Sequence, residues 1–206
     1  WFLILAVGLV LLLIWHLMQT GLGFGEAVRQ ASFNGVSMMT GTGYVSANFS
    51  AWGGFATTIL LIVMFIGGCG GSTTCGIKVF RLQVLASTAK VQVSRLLRPH
   101  AVVLAYYNKR PVSVEVMDSV MGFFYLFILG FVLVAIMLGM AGLDFVTALS
   151  GAATSISNVG PGLGEVIGAD GNFSSLPDGA KWIMSFAMLL GRLEIFTVLV
   201  MLNPAF

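Results

Sequence analysis

Thr40-Gly41-Thr42-Gly43-Tyr44 is the stretch on which the reading of this chain turns. It follows Glu26 to Met39, an apolar-to-small segment that is too short to cross a bilayer. A transmembrane helix needs about 20 apolar residues, and this segment would rise only about 21 Å as a helix. Glycines and small hydroxyl residues then turn the chain back, and the next apolar run opens at Trp52. Half-way in, a non-helical turn and out again is the pattern of a re-entrant pore loop. Such backbone is tolerated at membrane depth only where protein encloses it or it lines a wet cavity. Glycine accepts positive φ without a Cβ clash, so alternate carbonyls can aim at a common axis and replace the hydration shell of a cation. A surface Gly/Thr turn between two helices is the competing reading of these five residues taken alone.

Composition favours the membrane. Of 206 residues, 58% are hydrophobic and 9% charged, which is the profile of an integral membrane protein and excludes the disordered class. The chain opens at Trp1 already inside an apolar run and reads as a fragment lacking its N-terminal part. Cys69 and Cys75 sit among glycines and apolar residues, so reduced, buried thiols are expected rather than a disulfide framework. His16 and Trp52 read as interfacial residues, Trp52 of the aromatic-belt kind. No covalently held cofactor and no nucleic-acid partner is expected.

Trp1 to Met18 is the first expected span, and Ala51 to Ile66 the next apolar run. From Trp52 to Ile66 a helix would rise roughly 22 Å against about 30 Å of hydrocarbon. It must therefore break before it has crossed, in the stretch Gly67-Gly68-Cys69-Gly70-Gly71-Ser72-Thr73-Thr74-Cys75-Gly76. That stretch is expected within the membrane or at its inner edge, enclosed by protein or lining a cavity. It is not a phosphate-binding loop, because Ile77 separates Gly76 from Lys78 and no Ser/Thr follows.

Residues 77–110 hold seven of the ten basic residues and no acid, which marks them as cytoplasmic by the positive-inside rule. They read either as a docking surface for a partner or as a topology signal and anchor to lipid headgroups. Val112 to Met140 is the next span. Gly142 to Ile156 is again too short, and it ends in Ser157-Asn158-Val159-Gly160-Pro161-Gly162. A loop bearing Glu165, Asp170 and Asp178 follows, then a last span from Lys181 to Leu202.

These pieces form an internal repeat. At a spacing of 117 residues Gly43 falls on Gly160, Gly25 on Gly142, Ala31 on Ala148 and Thr40 on Ser157; with extra loop residues Trp52 falls beside Trp182. The fold expected is all-α, with two tandem units of span, short pore helix, filter-like turn and span: residues 1–100 and 112–206, joined by a cytoplasmic linker at 101–111. Both turns face the side opposite the basic stretch, so they open outward. Arg192 is the remaining oddity, a permanent charge in the middle of the last span, where charges usually face a bundle interior or cavity. Its five-donor fork suits the free carbonyls of the stretch 67–76; a buried acid or carbonyl elsewhere would also satisfy it.

The repeat, the run GGCGGSTTCGIK (67–78), the turns TGTGY (40–44) and SNVGPG (157–162), and the run GRLEIFTVLVMLNP (191–204) together resemble the Trk/Ktr/HKT cation transporter superfamily. The likeness is strongest to the C-terminal half of the bacterial TrkH potassium transport proteins, and it covers essentially the whole chain. It implies four K+-channel-like repeats in one protein, of which these are the third and fourth. It implies one essential glycine per filter turn, Gly43 and Gly160. The filter residues expected are 40–43 and 157–160, with the carbonyls of Thr40, Gly41, Thr42, Ser157, Asn158 and Val159 facing K+ held at Thr42, Gly43, Val159 and Gly160. It implies that Gly67 to Gly76 is an intramembrane gating loop and that Arg192 is the arginine facing it. The partners implied are membrane lipid, the N-terminal half of the same protein, a second copy of it, and a cytosolic TrkA-type subunit through which alone nucleotide would act. The location implied is the bacterial inner membrane.

An ion-coupled secondary transporter built on broken helices is the alternative, though such carriers commonly use inverted repeats, and these two copies share one orientation. No Ser/His, Asp/Asp or HExxH constellation lies within the spans, so no enzyme is expected.

Overall fold

Seven helices carry the chain in the computed structural model, which describes residues 2–21, 23–98 and 103–193. They are α1 (Phe2–Thr20), α2 (Phe24–Thr40), α3 (Gly54–Phe65), α4 (Val79–Leu97), α5 (Val114–Met140), α6 (Phe145–Ser157) and α7 (Asp178–Arg192). Single 3-10 turns, Phe49–Trp52 and Phe173–Ser175, precede α3 and α7. Within the expected linker lies a small antiparallel hairpin, β1 (Tyr106–Tyr107) and β2 (Arg110–Pro111). Its two turn residues, Asn108 and Lys109, both have positive φ, as a two-residue hairpin turn requires.

Among the described residues α5 is long and apolar enough to cross a membrane. Its outer face leaves Met121, Tyr125, Ile128, Val132 and Ile136 exposed, while Val120, Phe123, Phe127, Val134 and Leu138 are buried. A helix with large apolar groups on its outer face as well as its inner one is suited to lipid rather than water. By contrast α3 has 12 residues and ends at Phe65, because the next residue, Ile66, leaves the helical region with ψ 103.

The core is built in two units that share a seam. One packs Leu12 of α1, Ala31 and Met38 of α2, and Leu60 and Met64 of α3, and it takes in Ala153, Val159 and Leu163 from the second half. The other packs α5, α6 and α7 through Val134, Leu138, Ala148, Ala152, Ala180 and Met184. Phe65 joins them, edge-on to Phe127 at 6.0 Å and to Phe131 at 5.0 Å between ring centroids. Every residue of α6 from Ser150 to Ser157 is buried, and most are Ala, Gly, Ser or Thr. Small side chains let neighbouring helices approach α6 on all sides, as interfaces in membrane bundles favour.

Four expectations need correction. His16 is not interfacial: it is 1% exposed, its ring 4.2 Å from that of Trp52, with Nε2 3.0 Å from Gln30 Oε1. Trp52 is not a belt residue either; it is buried in the 3-10 turn, where its carbonyl accepts from Trp15 Nε1 at 2.6 Å. Nor does it match Trp182, which is 78% exposed on α7. The tripeptide Asn-Phe-Ser at 48–50 and again at 172–174 is the better marker, since each asparagine caps its 3-10 turn by accepting from the serine amide. Cys69, expected buried, is exposed because the loop that carries it turns outward; Cys75 is half-buried, and both are free thiols.

Candidate functional site

The two glycine turns are tied to their helices in the same way. At the end of α2, Ser37 O accepts from Thr42 N at 3.0 Å, Gly41 N donates to Met38 O at 3.3 Å, and Gly41 is left-handed with φ 66. At the end of α6, Thr154 O accepts from Val159 N at 3.1 Å, Asn158 N donates to Ser155 O at 3.2 Å, and Asn158 is left-handed with φ 51. A left-handed residue after the last helical turn stops the helix while using its free carbonyls. The hydroxyls differ in detail: Ser37 Oγ donates to Tyr44 O at 2.7 Å, whereas Thr154 Oγ1 accepts from Gly160 N at 3.0 Å. Thr40 is half-buried beside exposed Thr42, with 2.7 Å between their hydroxyl oxygens. Ser157 Oγ is buried and has no partner among the described residues.

The turns meet. Gly43 and Gly160 both have positive φ, 76 and 117. A Cβ built on Gly43 would overlap the Val159 carbonyl oxygen, and one on Gly160 would lie 3.6 Å from Gly43 Cα. Glycine is needed at Gly43 twice over, for its φ and for the neighbour. A second join lies beyond the turns: Asn48 Nδ2 donates to Asp170 Oδ2 at 2.5 Å, and Ser50 Oγ to Gly164 O at 2.9 Å.

The loop 67–76 packs against the first turn. Its base is a parallel bridge between Ile66 and Ile77, where Gly67 N donates to Ile77 O at 3.0 Å and Ile77 N to Phe65 O at 2.8 Å. Gly67 and Gly68 are buried, residues 69–71 exposed, and Ser72, Thr74, Cys75 and Gly76 intermediate. Ser72 and Thr74 hydroxyls are 2.7 Å apart, and a Cβ on Gly41 would lie 3.5 Å from Thr74 Cγ2. Arg192 is the last residue of α7, and residues 194–206, including the rest of the expected span, lie outside the described residues. Its Nη1 donates to Thr73 O at 2.9 Å and lies 3.6 Å from Cys75 Sγ. A cavity of about 210 Å3 opens between loop and arginine. Lys78, Arg81 and Phe123 also line it, and the Arg81 guanidinium lies 3.7 Å from the centre of the Phe123 ring.

Several contributors were not given these roles from sequence: Ser37 and Thr154, which hold the turns, Asp170 at the second join, and Lys78 and Arg81 at the cavity. A signal existed for the first pair, since both are hydroxyl residues at the repeat spacing of 117. None existed for Asp170, whose partner is 122 residues away in the chain.

The chain is similar to known proteins. The TrkI potassium uptake protein of the Trk system in Halomonas elongata is 45% identical over 204 residues, covering 99% of this chain and 41% of that protein. The TrkH potassium uptake protein of Escherichia coli K12 is 38% identical over 179 residues, covering 87% and 36%. The crystal structure of the potassium transporter TrkH from Vibrio parahaemolyticus matches with a TM-score of 0.86 at 38% identity, over 98% of this chain and 42% of that one. The chain thus spans about two fifths of the length of these relatives. The TrkH family of cation transport proteins matches residues 3–204, and the all-α fold is the one its solved member has; the chain belongs to that family.

Proposed function

We propose that this chain forms two adjacent repeats, the third and fourth of four, of a potassium-conducting pore in the bacterial inner membrane. The observation that carries the reading is the meeting of the two matched turns at Gly43, Val159 and Gly160. Two like turns side by side on the ends of two short helices make half of a ring. The N-terminal half of the same protein would complete it. Backbone carbonyls of Thr40, Gly41 and Thr42, and of Ser157, Asn158 and Val159, face the ion, with K+ held at Thr42, Gly43, Val159 and Gly160. The division into residues 1–100, 101–111 and 112–206 follows from the same repeat.

The loop Gly67 to Gly76 is the gate under this filter, and Arg192 holds it closed. The placement of Thr74 beside the open face of Gly41 and the bond from Arg192 to Thr73 support that assignment. Residues 77–110 lie in the cytoplasm, where a TrkA-type nucleotide-binding subunit docks, and the turns open outward. The complete protein pairs with a second copy. Permeation needs no covalent chemistry, and nucleotide acts only through the cytosolic subunit.

The test is Rb+ and Na+ uptake into proteoliposomes holding the protein at its full natural length. Gly43→Ala and Gly160→Ala are each expected to abolish Rb+ uptake or its preference over Na+, because a Cβ resists positive φ. Unchanged uptake and preference in both variants would sink the filter assignment.

A further inference from the structure

We propose that the Asn158 side chain is the positioning link between filter and gate: it fixes α7 to the filter turn and so sets where Arg192 reaches the loop. The inference rests on the gate reading and extends it. Asn158 is left-handed at the end of α6, a conformation glycine would adopt at less cost, as Gly41 does at the matching place in the first turn. What asparagine adds is a side chain, and its Nδ2 donates to Met188 O of α7 at 3.0 Å. Met188 lies one helical turn before Arg192, so the bonded carbonyl and the guanidinium stem share one face and one rigid segment.

Packing points the same way. A Cβ on Gly191 would overlap the Ile156 carbonyl and come within 3.0 Å of Asn158 Nδ2. The last turn of α7 is therefore seated on the end of α6, with no slack at the residue before the arginine. The Asn158 carbonyl in turn lies 3.6 Å from where a Gly41 Cβ would be, and Thr74 approaches the same point at 3.5 Å. Hydrogen bonds thus tie Asn158 to Met188 and Arg192 to Thr73, while Asn158 and Thr74 both lie beside the open face of Gly41. Movement of α7 that withdraws Arg192 must break the Asn158 bond, so the two events are coupled.

Asn158→Gly keeps the backbone conformation and deletes the bond. In full-length protein in proteoliposomes without its cytosolic subunit, it is expected to raise basal Rb+ flux about two- to tenfold, the shift one neutral hydrogen bond supplies. Combined with Arg192→Ala it should add nothing, since both act on one event. Asn158→Asp also tolerates the left-handed backbone but cannot donate, and it gives the same result should the glycine variant fail to assemble. If Arg192→Ala raises flux while both Asn158 variants stay at the wild-type level, the link is refuted and the gate reading survives. Loss of ion preference at unchanged basal flux would place Asn158 in the filter alone, and multiplicative effects in the double variant would make the two residues independent; either overturns the link. A silent Arg192→Ala removes the gate and the link together.

Discussion

Arg192 shows what one side chain can do at the junction of three elements. It ends α7, donates to the carbonyl of Thr73 and flanks the thiol of Cys75. A hydrogen bond from a charged donor contributes about 1.5–3 kcal/mol. That is enough to hold a loop shut and small enough for a partner to overcome. Arg192→Ala is expected to raise basal Rb+ flux by as much as roughly 10- to 150-fold, the factor to which that energy corresponds. Arg192→Lys should fall between wild type and alanine, because an ammonium keeps the charge but not the planar fork. Basal flux without the cytosolic subunit is the measurement; wild-type flux in both variants would move the gate elsewhere.

At the scale of elements, the short helices α2 and α6 are set by how they begin and end. Asp144 caps α6, its Oδ2 accepting from Thr147 N at 3.2 Å, and the bonds from Thr147 hold its carboxyl below the ordinary carboxylate value of 3.8. A group whose pKa is lowered on folding stabilises the fold above its unfolded value, and that support disappears as pH falls through the folded one. The cap is therefore complete near neutral pH and is lost in acid, as pH falls below 3.8. Asp144→Ala should destabilise the protein by about 1 kcal/mol at neutral pH, read as a lower melting temperature in detergent, with the difference from wild type closing in strong acid. α2 starts after Gly23 with no such cap, so the two copies differ most where their helices begin.

How these elements were legible follows from the same physics. Short helices before glycine turns, a break after Ile66 and the change to basic residues are all written in composition and length, which sequence displays directly. His16 and Trp52 were misread because a polar or aromatic residue at the edge of an apolar run has the same signature whether it faces headgroups or another helix. Only the partners decide, and here they are Gln30 and Trp15. The pairing of Trp52 with Trp182 failed for a related reason. Identity of a large residue outweighed the short Asn-Phe-Ser signal, though local hydrogen bonding makes the tripeptide the stronger structural marker.

For the whole molecule, the orientation proposed from charge can be read with thiol reagents. In a full-length background with its native cysteines replaced, single cysteines at Ala51 and Ser175 should react with an impermeant reagent applied outside cells. One at Asn108, in the hairpin turn, should react only after the cytoplasmic side is opened. All three positions are exposed. The reverse pattern would invert the positive-inside reading and take the acidic loop away from the outer mouth of the pore.

The second join, between residues 48–50 and 164–170, has a consequence for how the protein is made. Asn48 and Asp170 are 122 residues apart, and Ser50 and Gly164 are 114 apart. At a synthesis rate of about 5–20 residues per second, the first turn leaves the ribosome roughly 6–25 s before its neighbours exist. During that interval α1, α2 and α3 can pack on one another, but Gly43 has no Val159 against it and Asn48 has no carboxylate to bind. The first half must wait in the bilayer with an unfinished edge, and whatever shields that edge during biogenesis has to leave when the second half arrives.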